Sequence, residues 1–389
     1  MSGRRANGEG TLYQRKDGRY EGAAYVLTTD GTRRRVRVYG RTREDASGKL
    51  TELMAQHRRG LPAVINAPTV ASYLAYWLPN VAKPRVRPLT YRTYEMFVRE
   101  HIVPALGKKR LDRLTARDVR AFLASRSQVT SRSPGRRTKP LSQRTVFHLH
   151  AVLRNALADA VREDLIVRNV AQQVRISPGH QEEVQPLTVE EARTLLRVAR
   201  QYRLYALYAV ALSIGLRRGE ALGLRWADVD LDTGRLHIRQ TLQRHSGELH
   251  FAPPKTRRSR RTVPLLPSMV TTLREHRERQ AEERRRAGDA WEDSGLVFTT
   301  TTGRPIEPND FSNAFGRLCE RAGVRKVRLH DLRHTCASML LAQGVPPRVV
   351  MEVLGHSALE VTMTIYGHVM LDAQRKALAG MDALLTDDD

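Results

Sequence analysis

Six side chains in the second half of this 389-residue chain have the types that phosphodiester chemistry uses: Arg217, Lys255, His330, Arg333, His356 and Tyr366. A guanidinium grips two non-bridging phosphate oxygens in one fork. Preorganised cations offset the charge that builds on a five-coordinate phosphorus. A phenol oxygen can hold the phosphate covalently while a strand is cut. Because such a link keeps the bond energy, rejoining needs neither ATP nor a metal. The sequence has no GxxxxGK[ST] loop and no acidic pair arranged for Mg²⁺, so no cofactor and no metal are expected.

The local contexts sharpen the set. Arg217 lies in Gly215-Leu216-Arg217-Arg218-Gly219-Glu220, and His330 and Arg333 lie in Leu329-His330-Asp331-Leu332-Arg333-His334-Thr335. His356 lies in Leu354-Gly355-His356-Ser357, and Tyr366 follows in Thr364-Ile365-Tyr366-Gly367-His368. Glu220, one turn after Arg217, is placed to hold its guanidinium; the plain alternative is a surface i, i+3 ion pair. His330 and Arg333 share a helix face, whereas His334 is expected to project elsewhere and to be structural.

Together these boxes resemble the signature of the tyrosine recombinase (phage integrase) family, closely over about positions 185 to 370 and more loosely back to about 67. One box alone is weak; four in the family's order, closing on a tyrosine, are specific. The resemblance implies roles. Arg217 and Arg333 are the phosphate clamps, His330 handles the tyrosine proton, and His356 donates a hydrogen bond to a phosphate oxygen. Lys255, in Pro253-Pro254-Lys255-Thr256, protonates the leaving 5′ oxygen, and the arginines beside it read as phosphate contacts or solvated charge. Tyr366, one of twelve tyrosines, is the nucleophile that forms a 3′-phosphotyrosyl link. The apolar stripe Leu371, Leu378, Met381, Leu384 and Leu385 packs either on its own domain or, as in the family, on a neighbouring protomer of a synaptic homotetramer.

Composition agrees with a polyanionic partner: 66 Lys and Arg against 41 Asp and Glu give +25. Hydrophobic content of 41% is enough for real cores. The chain opens without a secretory signal, and its longest apolar run, Tyr205 to Leu216, is too short to span a bilayer; it reads as a buried helix before Arg217. The two cysteines, Cys319 and Cys336, have no metal-ligand spacing and read as small apolar residues on packed helices. The expected setting is the cytoplasm, on DNA, without a membrane.

The elements that must position the six fall into three segments of a mainly α, multidomain chain. Residues 1–60 read as strands at Gly10-Thr11-Leu12-Tyr13, Tyr20 to Val26 and Arg33 to Tyr39, then a helix from about Thr42 to Arg58. Such a small β-sheet plus helix resembles the arm-type DNA-binding domain of larger phage integrases; a solvated hairpin is the bland alternative. Residues 67–175 read as four helices resembling the core-binding domain. Val70, Tyr73, Leu74, Trp77 and Leu78 share one face, Tyr91, Tyr94, Phe97 and Ile102 mark a second helix ended by Pro104, and Thr115 and Ser142 cap the others. Trp77 and the tyrosines read as core, and Ser125 to Pro140 as a loop near DNA. Residues 185–389 read as a mixed α+β catalytic domain. It starts at a capping box, Thr188 to Glu191. Strands at Leu236 to Arg239, Leu249 to Phe251 and Arg261 to Pro264 form one sheet, and helices run from Pro267 to the end.

The implied function is a DNA integrase acting on double-stranded attachment sites, with an excisionase and a DNA-bending host protein as further partners. A resolvase-type recombinase, a type IB topoisomerase-like enzyme and a non-catalytic DNA-binding regulator are the competing readings.

Overall fold

The computed structural model describes residues 10–28, 32–58, 60, 67–127, 140–179, 185–245, 247–254 and 259–355. The chain divides into two compact units at positions 181 and 182.

The first unit begins with an antiparallel sheet in the order β1 (Thr11–Gln14), β2 (Tyr20–Leu27), β3 (Arg33–Gly40). Period-2 alternation splits its faces. Ala24, Val26, Val36 and Val38 pack on Leu50, Leu53 and Met54 of α1 (Arg43–Arg58), whose first turn is capped by Thr42. Gly40 lets the helix come this close, since a Cβ there would lie 2.4 Å from the Ala46 nitrogen. The opposite face carries Arg33, Arg35, Arg37 and Tyr39, set across from Leu27, Tyr25, Ala23 and Glu21. Basic residues on one face of a three-stranded sheet are what the sequence predicts.

The helices that follow surround a second core. α2 (Val70–Trp77) continues through a π turn (Leu78–Ala82) into a further turn (Lys83–Arg85), and α3 (Pro88–Phe97) does the same through Val98–Ile102 into Val103–Leu106. Pro104 therefore does not end its helix. In both cases the residue before a proline, Lys83 or Val103, bonds five residues back instead of four. The widened turn absorbs the missing N–H and the ring clash that normally break a helix at proline. α4 (Ala116–Ser127) and α5 (Gln143–Arg162) start at the expected caps, with Thr115 and Ser142 accepting from Asp118 and Thr145 N–H groups. Trp77 and Tyr73 are buried, and the Trp77 indole donates to Asp159, which also holds Arg85 and Arg162. Most of the Ser125 to Pro140 loop lies outside the described residues.

The second unit is built around α7 (Tyr205–Ser213), buried from Ala206 through Leu212. It packs against α6 (Val189–Ala199), which starts in the predicted capping box, and against α9 (Pro267–Ala287) and α11 (Asp331–Ala342). The Tyr208 ring lies against Phe311 and Phe315 of α10 (Pro308–Arg321). Cys319 and Cys336 are buried on these helices as predicted.

Two expectations need correction. The three predicted strands do not form one sheet. β5 (Arg235–Ile238) pairs with β4 (Val229–Asp230) and β8 (Arg261–Pro264), whereas residues 249–251 belong to β7 (Glu248–Ala252), in a hairpin with β6 (Thr241–His245). Nor is the chain helical throughout after Pro267: residues 291–307 are irregular, with bends, a turn and an isolated bridge between Thr299 and Pro305. Gly303 has φ +81°, and a Cβ there would fall 2.2 Å from the Glu292 carbonyl oxygen, which forces a turn. Among the described residues, no helix is long and apolar enough to cross a membrane.

Candidate active site

The site forms where α7 ends. Ile214 closes the helix, and Gly215 turns the chain with φ +66°. A Cβ at Gly215 would lie 2.4 Å from Leu354 Cδ2, so glycine here lets α12 (Pro347–Leu354) approach. The Gly215 carbonyl accepts from Arg333 Nη1 at 2.8 Å. Two residues on, Arg217 stands at the cap of α8 (Arg218–Leu222).

Glu220 does what its spacing suggests, and more. It is 2% exposed. Its Oε1 accepts from Arg217 Nη1 at 2.7 Å, and its Oε2 accepts from the Arg217 backbone N–H at 3.1 Å. Arg217 Nη2 donates to the Gly355 carbonyl at 2.9 Å, at the left-handed end of α12. Burial by itself raises the Glu220 carboxyl pKa, but the Arg261 and Arg217 charges outweigh it and hold it below the ordinary value.

Arg261 is the residue that sequence reasoning missed. Read as a phosphate contact or solvated charge, it is instead buried, with its side chain 7% exposed. Nη2 donates to Glu220 Oε2 at 3.2 Å, Nε to the Val353 carbonyl at 2.7 Å, and Nη1 to the Ser259 carbonyl at 3.2 Å. A signal was present: on β8 Arg261 shares a face with buried Val263, and opposite it in register stands buried Ile238.

Arg333 is 2% exposed on α11. Burial, then the Arg217 charge, push its pKa down to about 9, so it stays charged at neutral pH. Two guanidinium groups thus share the Glu220 carboxylate, and a third, Arg333, is held nearby on the Gly215 carbonyl. An anion placed about 4 Å from one cation gains about 4 kcal/mol at an effective dielectric near 20, so the site favours a bound phosphate oxygen.

His330 sits at the start of α11, with one edge open to solvent. Its ring meets His334 edge to face at 5.1 Å, so His334 packs on it rather than projecting away. Burial of the inner edge, then the His334 and Arg333 charges, lower its pKa to about 4, which leaves a neutral imidazole at pH 7. Asp331 fixes this helix start by accepting from the Arg328 N–H at 2.8 Å.

The structure therefore brings Arg217, Glu220 and Arg333 together, with His330 on the turn that carries Arg333. Lys255, His356 and Tyr366 lie outside the described residues, as does the apolar tail. Their flanks do not: Pro254 and Ser259 border the Lys255 segment, and Gly355 precedes His356.

Helices and short sheets around a cluster of arginines with this residue order define a class of DNA-breaking and rejoining proteins, and comparison with known proteins agrees. Residues 185–372 match the model described as Phage integrase family, and residues 69–125 match Phage integrase, N-terminal SAM-like domain. An integrase of Streptomyces ambofaciens is 30% identical over 380 residues, which cover 94% of this chain and 94% of that protein. The solved Tn1549 transposon integrase in complex with transposon right end DNA aligns with a TM-score of 0.68 and 21% identity, over 82% of this chain and 100% of that one. A lambda integrase tetramer bound to a Holliday junction aligns at 0.54 and 17%, over 93% of this chain and 96% of that one. The chain belongs to the phage integrase family. It is a tyrosine recombinase, an enzyme of site-specific DNA recombination.

Proposed function

We propose that the chain integrates a mobile element by cutting and rejoining double-stranded DNA at attachment sites, through a 3′-phosphotyrosyl intermediate. The observation that carries this reading is the group of Arg217, Arg261 and Arg333 around the single buried carboxylate of Glu220. Arg217 and Arg333 clamp the non-bridging oxygens of the scissile phosphate. The Tyr366 oxygen attacks phosphorus while the P–O5′ bond breaks. The neutral imidazole of His330 takes the phenolic proton, Lys255 gives a proton to the departing O5′, and His356 donates a hydrogen bond to a phosphate oxygen. Religation is the reverse, with a 5′-hydroxyl from the exchanged strand.

In this reading residues 1–60 bind arm-type DNA through the basic sheet face, 67–175 bind core sites, and 185–389 hold the chemistry and an exchangeable tail. Four protomers synapse, a DNA-bending host protein and an excisionase shape direction, and the protein works on the nucleoid. Support for the DNA partner comes from the +25 charge and from the DNA-bound state of the Tn1549 and lambda structures.

A nicked suicide duplex bearing the candidate attachment core tests the chemistry. Wild-type protein is expected to give a covalent protein–DNA band with EDTA present, and Tyr366→Phe none. Adducts formed by Tyr366→Phe would sink the assignment of the nucleophile.

A further inference from the structure

Arg261 has no place in the chemistry just described, yet it is the most elaborately held cation of the site. Its fork reaches three acceptors in three directions: the carboxylate that grips Arg217, the Val353 carbonyl near the end of α12, and the Ser259 carbonyl at the foot of the Lys255 segment. The backbone is shaped around it. Gly355 has φ +68°, and a Cβ there would fall 2.7 Å from Arg261 Nη1. An ammonium on an unbranched stem cannot serve three such acceptors at once.

We propose that Arg261 is a positioning residue, which orients Glu220 and through it Arg217, and which ties the Ser259 and Val353 backbone to that pair. The inference rests on the reading of Arg217 as a phosphate clamp. With Arg217 alone, Glu220 would form a one-to-one ion pair that cancels the charge meant for the phosphate. Arg261 takes a share of Oε2, so the carboxylate is divided between two guanidinium groups and the site stays cationic. The same fork fixes the stem from which His356 and Tyr366 continue.

The test is single-turnover cleavage of the suicide duplex by full-length protein, with the affinity for that duplex measured separately. R261K keeps the charge and loses the fork; R261Q loses both. G355A leaves Arg261 intact but crowds its Nη1 and strains a left-handed position whose carbonyl also holds Arg217, so it serves as a second perturbation of the same junction where an Arg261 variant does not fold. The cleavage rate constant of R261K is expected to fall on the order of 10–100-fold, with R261Q lower still. Affinity for the duplex is expected to change by less than about 3-fold, since other phosphate contacts remain. G355A is expected to slow cleavage in the same way as R261K. A purely structural role would lower the fraction of competent molecules, read as burst amplitude, and leave the rate constant alone. An R261K protein that cleaves at the wild-type rate, or that loses only amplitude or affinity, overturns the inference. Should Tyr366→Phe also form adducts, the underlying reading of the site fails instead; if Tyr366→Phe is inert, only the Arg261 inference is lost.

Discussion

Glu21 in the front sheet and Glu220 at α8 are each 2% exposed and each lie among arginines, but the arginines differ. Glu21 accepts from Tyr13 Oη at 2.6 Å and from Arg15 at 3.2 Å, with Arg37 Nε 3.4 Å away. The side chains of Arg15 and Arg37 are 38% and 54% exposed. Around Glu220, the side chain of Arg261 is 7% exposed and that of Arg217 36%, with Arg333 beside them at 2%. One carboxylate therefore tethers arginines that both stay open to water, and the other belongs to a group of cations two of which have lost theirs. Solvated guanidinium groups can adapt to a groove of varying shape, as a binding surface needs. Desolvated ones cannot move without cost, as a site that must hold one phosphate geometry needs.

The largest effect expected from this contrast is on stability. Glu220→Gln removes the shared counter-charge of buried guanidinium groups, and breaking a buried pair in this way costs roughly 3–5 kcal/mol. Glu21→Gln leaves arginines that water can solvate, and should cost no more than about 1 kcal/mol. Urea unfolding of the two variants measures both. Sulfate should restore part of the loss in Glu220→Gln only, because an anion can stand in for the carboxylate there. Equal losses, or equal rescue by sulfate, would erase the distinction between the two carboxylates.

Acid should separate the same two regions more gently. In the catalytic unit burial lowers the pKa of His276, whose Nε2–H donates to the Val297 carbonyl at 2.8 Å, and lowers that of His330 to about 4. Groups whose folded pKa is depressed contribute stability that is complete above the unfolded value and is lost as pH falls through the folded one. For His330 the loss runs from about pH 6.5 down toward pH 4, and for His276 it also begins as pH falls below about 6.5. In the front sheet the lowered groups are Asp17 and Asp45, so losses there wait until pH falls below the carboxylate range near 4. Between pH 7 and pH 5 the catalytic unit should lose on the order of 1 kcal/mol, discounted for the open edge of His330. Hydrogen exchange, corrected for intrinsic rates, should show faster opening at Val297 and none at β2. A uniform response in both regions would contradict the contrast.

How much of this was legible beforehand follows from what each feature depends on. Glu220 was legible because its partner is three residues away on one helix turn. The family was legible because residue type and order in the boxes around Arg217, His330 and Arg333 match it. Arg261 sits in a run where Arg257, Arg258, Arg260 and Arg261 look alike in sequence, and it is the register of β8 against Ile238 that turns Arg261 inward. The alternation with Val263 carried that information, but in a stretch of four residues. Thr241–His245 lacks a run of β-branched residues and is a strand because of its partner across Gly247. Pro104 misled because the compensating π turn is a property of the whole helix and not of the dipeptide. Hence the Arg217–Glu220 pair was legible from its spacing, whereas Arg261 and the β6–β7 hairpin needed partners distant in sequence, and His334 and Pro104 needed the packing of the whole helix.

The smallest expected effect concerns the proposed DNA contact of the front sheet. Across β2 and β3, Arg37 stands opposite Ala23, Arg35 opposite Tyr25 and Arg33 opposite Leu27, so the face offers a row of cations beside exposed Tyr25 and Tyr39. Glu21 lies at one end of this row and draws Arg15 and Arg37 toward itself. In Glu21→Gln the amide oxygen can still accept from Tyr13, while both arginines lose their ionic tether and become available to phosphates. Each added phosphate contact steepens the dependence of log affinity on log salt by about 0.9. Arm-type DNA binding by Glu21→Gln is therefore expected to tighten a few-fold at low salt and to show a slope steeper by up to about two units. Fluorescence anisotropy across a salt series reads both quantities. An unchanged slope would mean that Glu21 holds Arg15 and Arg37 for the sake of the sheet, and that the two buried carboxylates differ in the exposure of their arginines but not in purpose.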